Sequence, residues 1–368
     1  MQKGAQTDVI VMDFSKAFDK VSHQKLCSKL NTYGIAGKTN SWINSFLTNR
    51  TQRVVVEGVS SDEVPVSSGV PQGSVLGPSL FLFYINDMPT NITSTVRLFA
   101  DDTIVYIALK PKSNSKTLQE DLDKLSIWED KWSMEFHPDK CQVIPITRNK
   151  NIIKNSYTLN GHTLESVPEA KYLGVTITSD LRWNTHINNI TSKANKTLGF
   201  LRRNLNISST NIKAQAYKSL VRPIVEYGSS VWDPYTQSNI NQLEMVQRRA
   251  ARYVCNRHHN TSSVTNMLCT LGWRSLADRR RDARLCLLYK IAHNLVLVPA
   301  PSYLVPFIRS SRLHHNQAFQ IPHSNADYHL FSFFPNTIRL WNTIPQKIID
   351  SPSIDTFKTH IQTLAYPN

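Results

Sequence analysis

The chain has 368 residues, of which 40% are hydrophobic and 19% charged, with a formal net charge of +15 at pH 7. That length allows two or three domains with a sizeable core, and the apolar content excludes a disordered chain. Met1–Thr7 is polar, Val9–Met12 is a short apolar run, and no stretch approaches the ~20 apolar residues of a membrane span, so neither a secretory leader nor a membrane partner is expected.

Val9–Met12 reads as a buried strand, bounded by polar residues and too short for a helix. Ser22 is placed as the N-cap of a helix running to about Asn31, with Leu26 and Leu30 on one face and Gly34 as its stop. A second helix over about Thr39–Leu47 is expected to bury Trp42, Ile43, Phe46 and Leu47. Thr51–Glu57 and Glu63–Val66 alternate around Gly58-Val59-Ser60-Ser61 and predict a hairpin. Ser68–Pro78 carries three glycines and two prolines, which forbid a regular element at its start. A strongly apolar helix over Ser79–Met88 follows, and a glycine-rich loop opening a helix lets a ligand approach the backbone closely.

Thr95–Leu98 and Thr103–Ile107 are rich in β-branched and aromatic residues and predict a second hairpin, with Phe99-Ala100-Asp101-Asp102 at its turn. Ser115–Met134 reads as an amphipathic helix carrying Leu118, Leu122, Leu125, Trp128 and Trp132. Cys141–Thr147 is a strand, Asn160-Gly161 marks a hairpin within Tyr157–Leu164, and Lys171–Ile177 is strand-like. The first 180 residues are thus α+β, with strands 9–12, 95–98 and 103–107 in one sheet. Segments 185–205, 210–222, 238–254 and 275–295 are helical by periodicity, and the tail from Pro299 reads as loop-rich.

The positive charge is unevenly placed. Residues 1–110 hold 10 Lys and Arg against 9 Asp and Glu, residues 111–180 hold 9 against 10, and residues 181–368 hold 23 against 8. A charge-balanced, acid-bearing first half joined to a basic second half suits an enzyme core with a polyanion-binding region. Arg202-Arg203, Arg248-Arg249-Arg252 and Arg279-Arg280-Arg281-Arg284 recur on successive helices, which favours a groove-lining role over solvated helix faces. The five cysteines are scattered without a CxxC pair, and Cys255, His258, His259 and Cys269 fit no standard zinc spacing. Free thiols point to an intracellular protein, nuclear or cytoplasmic.

Asp101 and Asp102 pose an electrostatic problem. Crowded like charges are unfavourable unless something compensates them, and a divalent metal is the usual compensator. An ordinary turn with solvated side chains is the alternative. Asp13, at the end of strand 9–12, supplies a third acid. Three carboxylates from adjacent strand ends suit two-metal phosphoryl transfer.

These residues fall into an order that resembles the reverse transcriptase of a LINE-type (non-LTR) retrotransposon of the jockey kind. Asp13-Phe14-Ser15-Lys16-Ala17-Phe18-Asp19 resembles polymerase motif A. Gly69-Val70-Pro71-Gln72-Gly73-Ser74-Val75-Leu76-Gly77-Pro78 resembles motif B, and Phe99-Ala100-Asp101-Asp102 resembles motif C. Phe136-His137-Pro138-Asp139-Lys140-Cys141 resembles motif D, and Tyr172-Leu173-Gly174 the primer grip. The likeness is strong over residues 8–180 and looser beyond, where it includes Arg339-Leu340-Trp341-Asn342-Thr343-Ile344-Pro345.

The resemblance implies a right-hand polymerase palm with incomplete fingers over 1–180, a helical thumb-like region over 181–255 and a basic C-terminal region over 256–368. It implies RNA-directed DNA polymerisation on an RNA template and DNA primer from deoxynucleoside triphosphates. Two Mg²⁺ ions, or Mn²⁺, would be held by Asp13, Asp101 and Asp102, with Asp102 the more peripheral. The Phe14 carbonyl would also meet the metal of the nucleotide. Phe18 would be the gate that rejects a ribose 2′-hydroxyl, or else a core aromatic. Gln72 and Gly73 would lie against nucleotide and template. Lys140 would neutralise or protonate the pyrophosphate, or else be a solvated lysine. The chain opens almost at the first motif, so an N-terminally truncated member is expected. The alternative function is an inactive retrotransposon remnant that binds nucleic acid.

Overall fold

Strand β1 (Gln6–Met12) is the axis of the first half of the computed structural model, which describes residues 5–109, 114–257, 259, 262–300, 302–307 and 315–364. His258, of the cysteine–histidine set above, lies outside them. Helices α1 (His23–Thr32) and α2 (Gly37–Leu47) follow β1. Ser22 caps α1 by accepting a hydrogen bond from the Lys25 N–H. A hairpin arm comes next, in which β2 (Arg50–Gln52) pairs with β5 (Val64–Val66) and β3 (Val55–Val56) with β4 (Val59–Ser60). Its tip is Glu57-Gly58, both left-handed, rather than the 58–61 stretch expected.

Then come α3 (Leu76–Ile85), β6 (Thr95–Phe99), β7 (Asp102–Leu109), α4 (Asn114–Trp132) and β8 (Gln142–Ile146). Short strands β9 (Thr158–Leu159), β10 (His162–Thr163) and β11 (Glu165–Ser166) precede a last pair, β12 (Glu169–Tyr172) and β13 (Val175–Thr178). The expected single strand over 171–177 is this hairpin. It folds at Leu173-Gly174, with φ of 45° and 79°, the double positive φ of a tight hairpin turn.

The sheet runs β11-β8-β1-β7-β6, antiparallel except for the β11–β8 pair. Strand alternation divides β1 cleanly. Ile10 and Met12 join Val105 and Val143 in the main core with Leu118, Leu122 and Leu125 of α4 and Leu80, Phe81 and Tyr84 of α3. Val9 and Val11 face the other way, with Ile104, Tyr106, Ile144 and Ile146, and are covered by Ala170 and Ile177 of the last hairpin. Trp42, expected to be buried, is 58% exposed and Phe46 is only partly buried, while Ile43 and Leu47 of the same helix are buried. Helix α2 buries only the stripe that meets α1.

The chain forms two compact units that divide between Arg182 and Trp183. The expected boundary at 255/256 falls inside the second. In that unit α5 (Asn184–Asn204) buries Ile187, Thr191, Ala194, Leu198 and Leu201, one stripe at helical spacing. The helix expected over 210–222 is regular only as α6 (Thr210–Ala216). The chain then loosens into a π turn and a 3₁₀ turn at Arg222–Val225, because Pro223 offers no N–H. Helices α7 (Ser229–Trp232), α8 (Gln237–Cys255), α9 (Val264–Thr270) and α10 (Leu276–Ala292) follow.

The tail from Pro299 is more helical than expected. It contains α11 (Asp327–Leu330), α12 (Phe333–Trp341), α13 (Gln346–Ile349) and α14 (Ile354–Thr363). Ile338, Trp341, Ile344, Phe357 and Ile361 are fully or almost fully buried against Leu285, Leu288 and Tyr289 of α10. No helix among the described residues is long and apolar enough to cross a membrane.

The arginine run on α10 is not the groove-lining face expected. Arg280 is 1% exposed, with its Nε 2.7 Å from Asp233 Oδ1, and Arg284, also buried, has its Nε 2.9 Å from Asp233 Oδ2. Arg279 pairs with Glu226, and Arg281 with Asp278 and Asp282. Arg202, Arg203, Arg248 and Arg249 do face solvent.

Candidate active site

The pairing register gathers the acids. In the β1–β7 ladder Met12 is opposite Thr103, so the next step along each chain sets Asp13 beside Asp102. In the β6–β7 ladder Phe99 is opposite Asp102, which leaves Ala100 and Asp101 as a two-residue turn. Ala100 has φ 50°, a left-handed conformation costly for a residue with a Cβ. Alternation puts Asp13 and Asp102 on the sheet face that the β12–β13 hairpin covers.

Asp13 is fixed from behind. Its carbonyl accepts from the His137 N–H at 2.8 Å, and the Ser15 N–H donates to the Glu135 carbonyl at 2.7 Å. Between these bonds Phe14 stacks on Phe136, with ring centroids 4.3 Å apart. Cys141 lies beneath. Burial pushes its thiol up to about 11, the Asp13 backbone hydrogen bond opposes that, and the Asp13 and Glu129 charges add to it.

The carboxylates sense one another. Partial burial, then Asp101, then Asp13 push the Asp102 carboxyl above its ordinary value. Lys140 Nζ stands 3.2 Å from Asp13 Oδ2, an exposed pair that brings a positive charge onto the acids. Tyr172 also reaches this field, its hydroxyl pushed up by burial and then by Asp102. Leu173 and Gly174 form the turn beyond it. Among the described residues no three His, Cys, Asp or Glu side chains already converge as a metal cage. The donor set is nonetheless all oxygen, anionic and crowded, which suits a hard divalent cation by type and by charge.

The loops of the first two motifs are bonded together. Val70 N–H donates to the Phe18 carbonyl at 2.8 Å, and Gly69 N–H to the Val21 carbonyl at 2.7 Å. Gln72 Nε2 donates to Asp19 Oδ1 at 3.1 Å. The role of Asp19 is not marked in the sequence beyond a carboxylate next to Phe18. Gly73 is open, with φ 83°. Phe18 is partly buried, its ring stacked on Phe81 at 4.4 Å between centroids. The acids and this two-loop platform belong to the same unit.

Gly69 makes the loop contact possible. It has φ +88°, and a Cβ there would stand 2.8 Å from Asp19 Cα and 2.9 Å from Asp19 O. Gly69→Ala is expected to cost about 1–3 kcal/mol in backbone strain alone and to displace Asp19 and Gln72. A lowered denaturation midpoint checks the first effect. A midpoint unchanged from wild type would mean that the loop can move aside.

Residues 1–177 match the family model described as reverse transcriptase (RNA-dependent DNA polymerase). The RNA-directed DNA polymerase from mobile element jockey of Drosophila melanogaster is 31% identical over 256 residues, 66% of this chain and 28% of that protein. The probable RNA-directed DNA polymerase from transposon BS of the same organism is 30% identical over 267 residues, 67% of this chain and 29% of that protein. The chain therefore spans less than a third of these relatives' length. Apo telomerase from Candida tropicalis aligns at 12% identity and a TM-score of 0.41, covering 77% of this chain and 46% of that one. These sequence matches identify residues 1–177 as a reverse transcriptase (RNA-dependent DNA polymerase) domain, similar to the enzymes of jockey-type mobile elements.

Proposed function

We propose that the chain carries the palm of a reverse transcriptase, which extends a DNA primer on an RNA template by nucleotidyl transfer. The gathering of Asp13, Asp101 and Asp102 at one strand end carries this reading. The primer 3′-oxygen attacks the α-phosphorus of a deoxynucleoside triphosphate, the new P–O bond forms in line with the breaking one, and pyrophosphate leaves. Two Mg²⁺ ions, or Mn²⁺, would activate the 3′-hydroxyl and offset charge on the leaving group. Asp13 and Asp101 would hold both ions, with Asp102 and the Phe14 carbonyl completing the oxygen donors. The Lys140 ammonium, 3.2 Å from Asp13 Oδ2, offsets part of the repulsion among the carboxylates.

Lys140, exposed at the edge of the acids, would give the leaving pyrophosphate a proton. Gln72, steadied by Asp19, and the open Gly73 form a surface for nucleotide and template. Tyr172, Leu173 and Gly174 border the acids on the side of a primer end. Phe18 supplies the sugar gate, and its stack on Phe81 would keep the ring from swinging away.

Primer extension on an RNA template tests the reading, with cation-dependent deoxynucleotide incorporation expected. Phe18→Val should raise ribonucleotide incorporation relative to deoxynucleotide by on the order of tenfold or more, since the bulk opposing the 2′-hydroxyl is gone. Unchanged sugar discrimination would return Phe18 to a core role. A well-folded wild-type chain that extends no primer with either cation would favour the second reading, a nucleic-acid-binding remnant. The exposed arginines of α5 and α8 support that reading.

A further inference from the structure

A cavity of about 470 Å³ lies in the second unit between α10 and α14. Arg279, Cys286 and Lys290 line it from one face of α10, at positions i, i+7 and i+11. Lys358 lines it from α14. Lys290 and Lys358 bear on the same interior point. Burial pushes the Cys286 thiol up to about 11; the Lys358 and Lys290 ammonium groups pull it back, while the Asp282 charge adds to the rise. Neither lysine has an ion-pair or side-chain hydrogen-bond partner among the described residues.

The wall behind them has a charge surplus. Arg280 also lines the cavity, and its Nη1 is buried with no hydrogen-bond partner. Arg284 stands behind it, crowded by Arg280, Arg281 and Arg339. These two buried guanidiniums share one carboxylate, Asp233. Glu226 and Asp282 also line the cavity, and both are engaged, Glu226 by Arg279 and Arg222, Asp282 by Arg274 and Arg281. Asp355, in the first turn of α14, also lines the cavity, so four cationic side chains (Arg279, Arg280, Lys290 and Lys358) face three carboxylates there. Buried positive charge behind a low-dielectric wall projects into such a space and attracts an anion.

We propose that this cavity binds the phosphate of a nucleotide, held by Lys290 and Lys358 over the positive wall of Arg280 and Arg284. The volume exceeds what a lone phosphate fills, and Ile354 and Leu287 offer apolar surface to the rest of the ligand. The phosphate can come from a nucleic-acid strand or from a free nucleotide. The strand source rests on the polymerase reading above, whereas the site does not.

The full chain is titrated with a 5′-labelled single-stranded RNA and, separately, with a fluorescent ATP analogue, each at several salt concentrations and without divalent cation. Lys290→Gln/Lys358→Gln is compared with wild type and with Lys290→Arg/Lys358→Arg. If a strand supplies the phosphate, the glutamine pair weakens RNA binding about tenfold at moderate salt, lowers the slope of log K against log salt by about 1–2, and the arginine pair restores both. If a free nucleotide supplies it, only ATP-analogue binding falls. Unchanged affinity and slope for both probes, in a glutamine variant with a wild-type thermal transition, would overturn the site. No catalysis is required, so this result and the primer-extension result can fail independently.

Discussion

Asp101→Asn and Asp13→Asn are each expected to cut RNA-templated primer extension by on the order of 10³-fold, the scale on which losing one preorganised electrostatic group acts. Asparagine keeps the shape and removes the charge, so the fold should persist while cation binding is lost. Equal extension by wild type and either variant would sink the assignment. The companion result concerns stability. Asp102→Asn should melt at a higher temperature than wild type when no divalent cation is present, because one of three crowded charges is gone.

The sign of that effect follows from linkage. The folded Asp102 carboxyl titrates above its ordinary value, raised by burial, Asp101 and Asp13. The folded state therefore binds a proton more tightly than the unfolded state, and ionisation destabilises the fold at neutral pH. That penalty is relieved as pH falls through the raised folded value, so the stability gap between Asp102→Asn and wild type should narrow there. Mg²⁺ should stabilise wild type more than the variant, by mass action on the form with all three carboxylates. A variant no more stable than wild type in the absence of cation would mean that the carboxylates do not repel one another in solution.

The acid site was legible because its signals are local. A tight turn between β-branched runs sets Asp101 in the turn and Asp102 at the start of the next strand, and a short apolar strand leading into Asp13 needs only one register to sit beside them. The two halves of the platform were legible as glycine-rich and aromatic stretches. The Asp19–Gln72 bond that joins them was not, since it links residues 53 apart and depends on Gly69 having no side chain. The helices of the tail are hidden for a related reason. Its serines look like loop residues by composition, yet Ser353 caps α14 by accepting from the Thr356 N–H. The apolar residues of α12 and α14 are spaced for a partner helix, and the partner is α10.

Helix α10 shows the limit of reading charge from sequence. Four arginines in six residues suggest a solvated surface, because burying a guanidinium without an acid is costly. The acid that permits burial, Asp233, lies 47 residues before Arg280. It reaches α10 because it ends α7, which packs against α10. Nothing in the local pattern of either segment marks the pair.

That pairing sets the largest stability effect expected in the second unit. Asp233→Asn should destabilise the protein by about 3–5 kcal/mol, the cost of leaving buried charge uncompensated. For a unit of this size that is on the order of 10 °C in the melting transition. Asp180→Asn, which breaks the exposed Arg182 pair at 66% and 40% side-chain exposure, should cost under about 1 kcal/mol and serves as the surface control. The decisive comparison is the double variant Asp233→Asn/Arg284→Met. If like-charge crowding of Arg284 by Arg280, Arg281 and Arg339 is the source of the loss, removing the Arg284 charge recovers a measurable part of it. The coupling should then appear as a non-additive term in the double-mutant cycle. If Asp233 matters only through its hydrogen bonds and shape, the two losses add and the double variant is the least stable of the set.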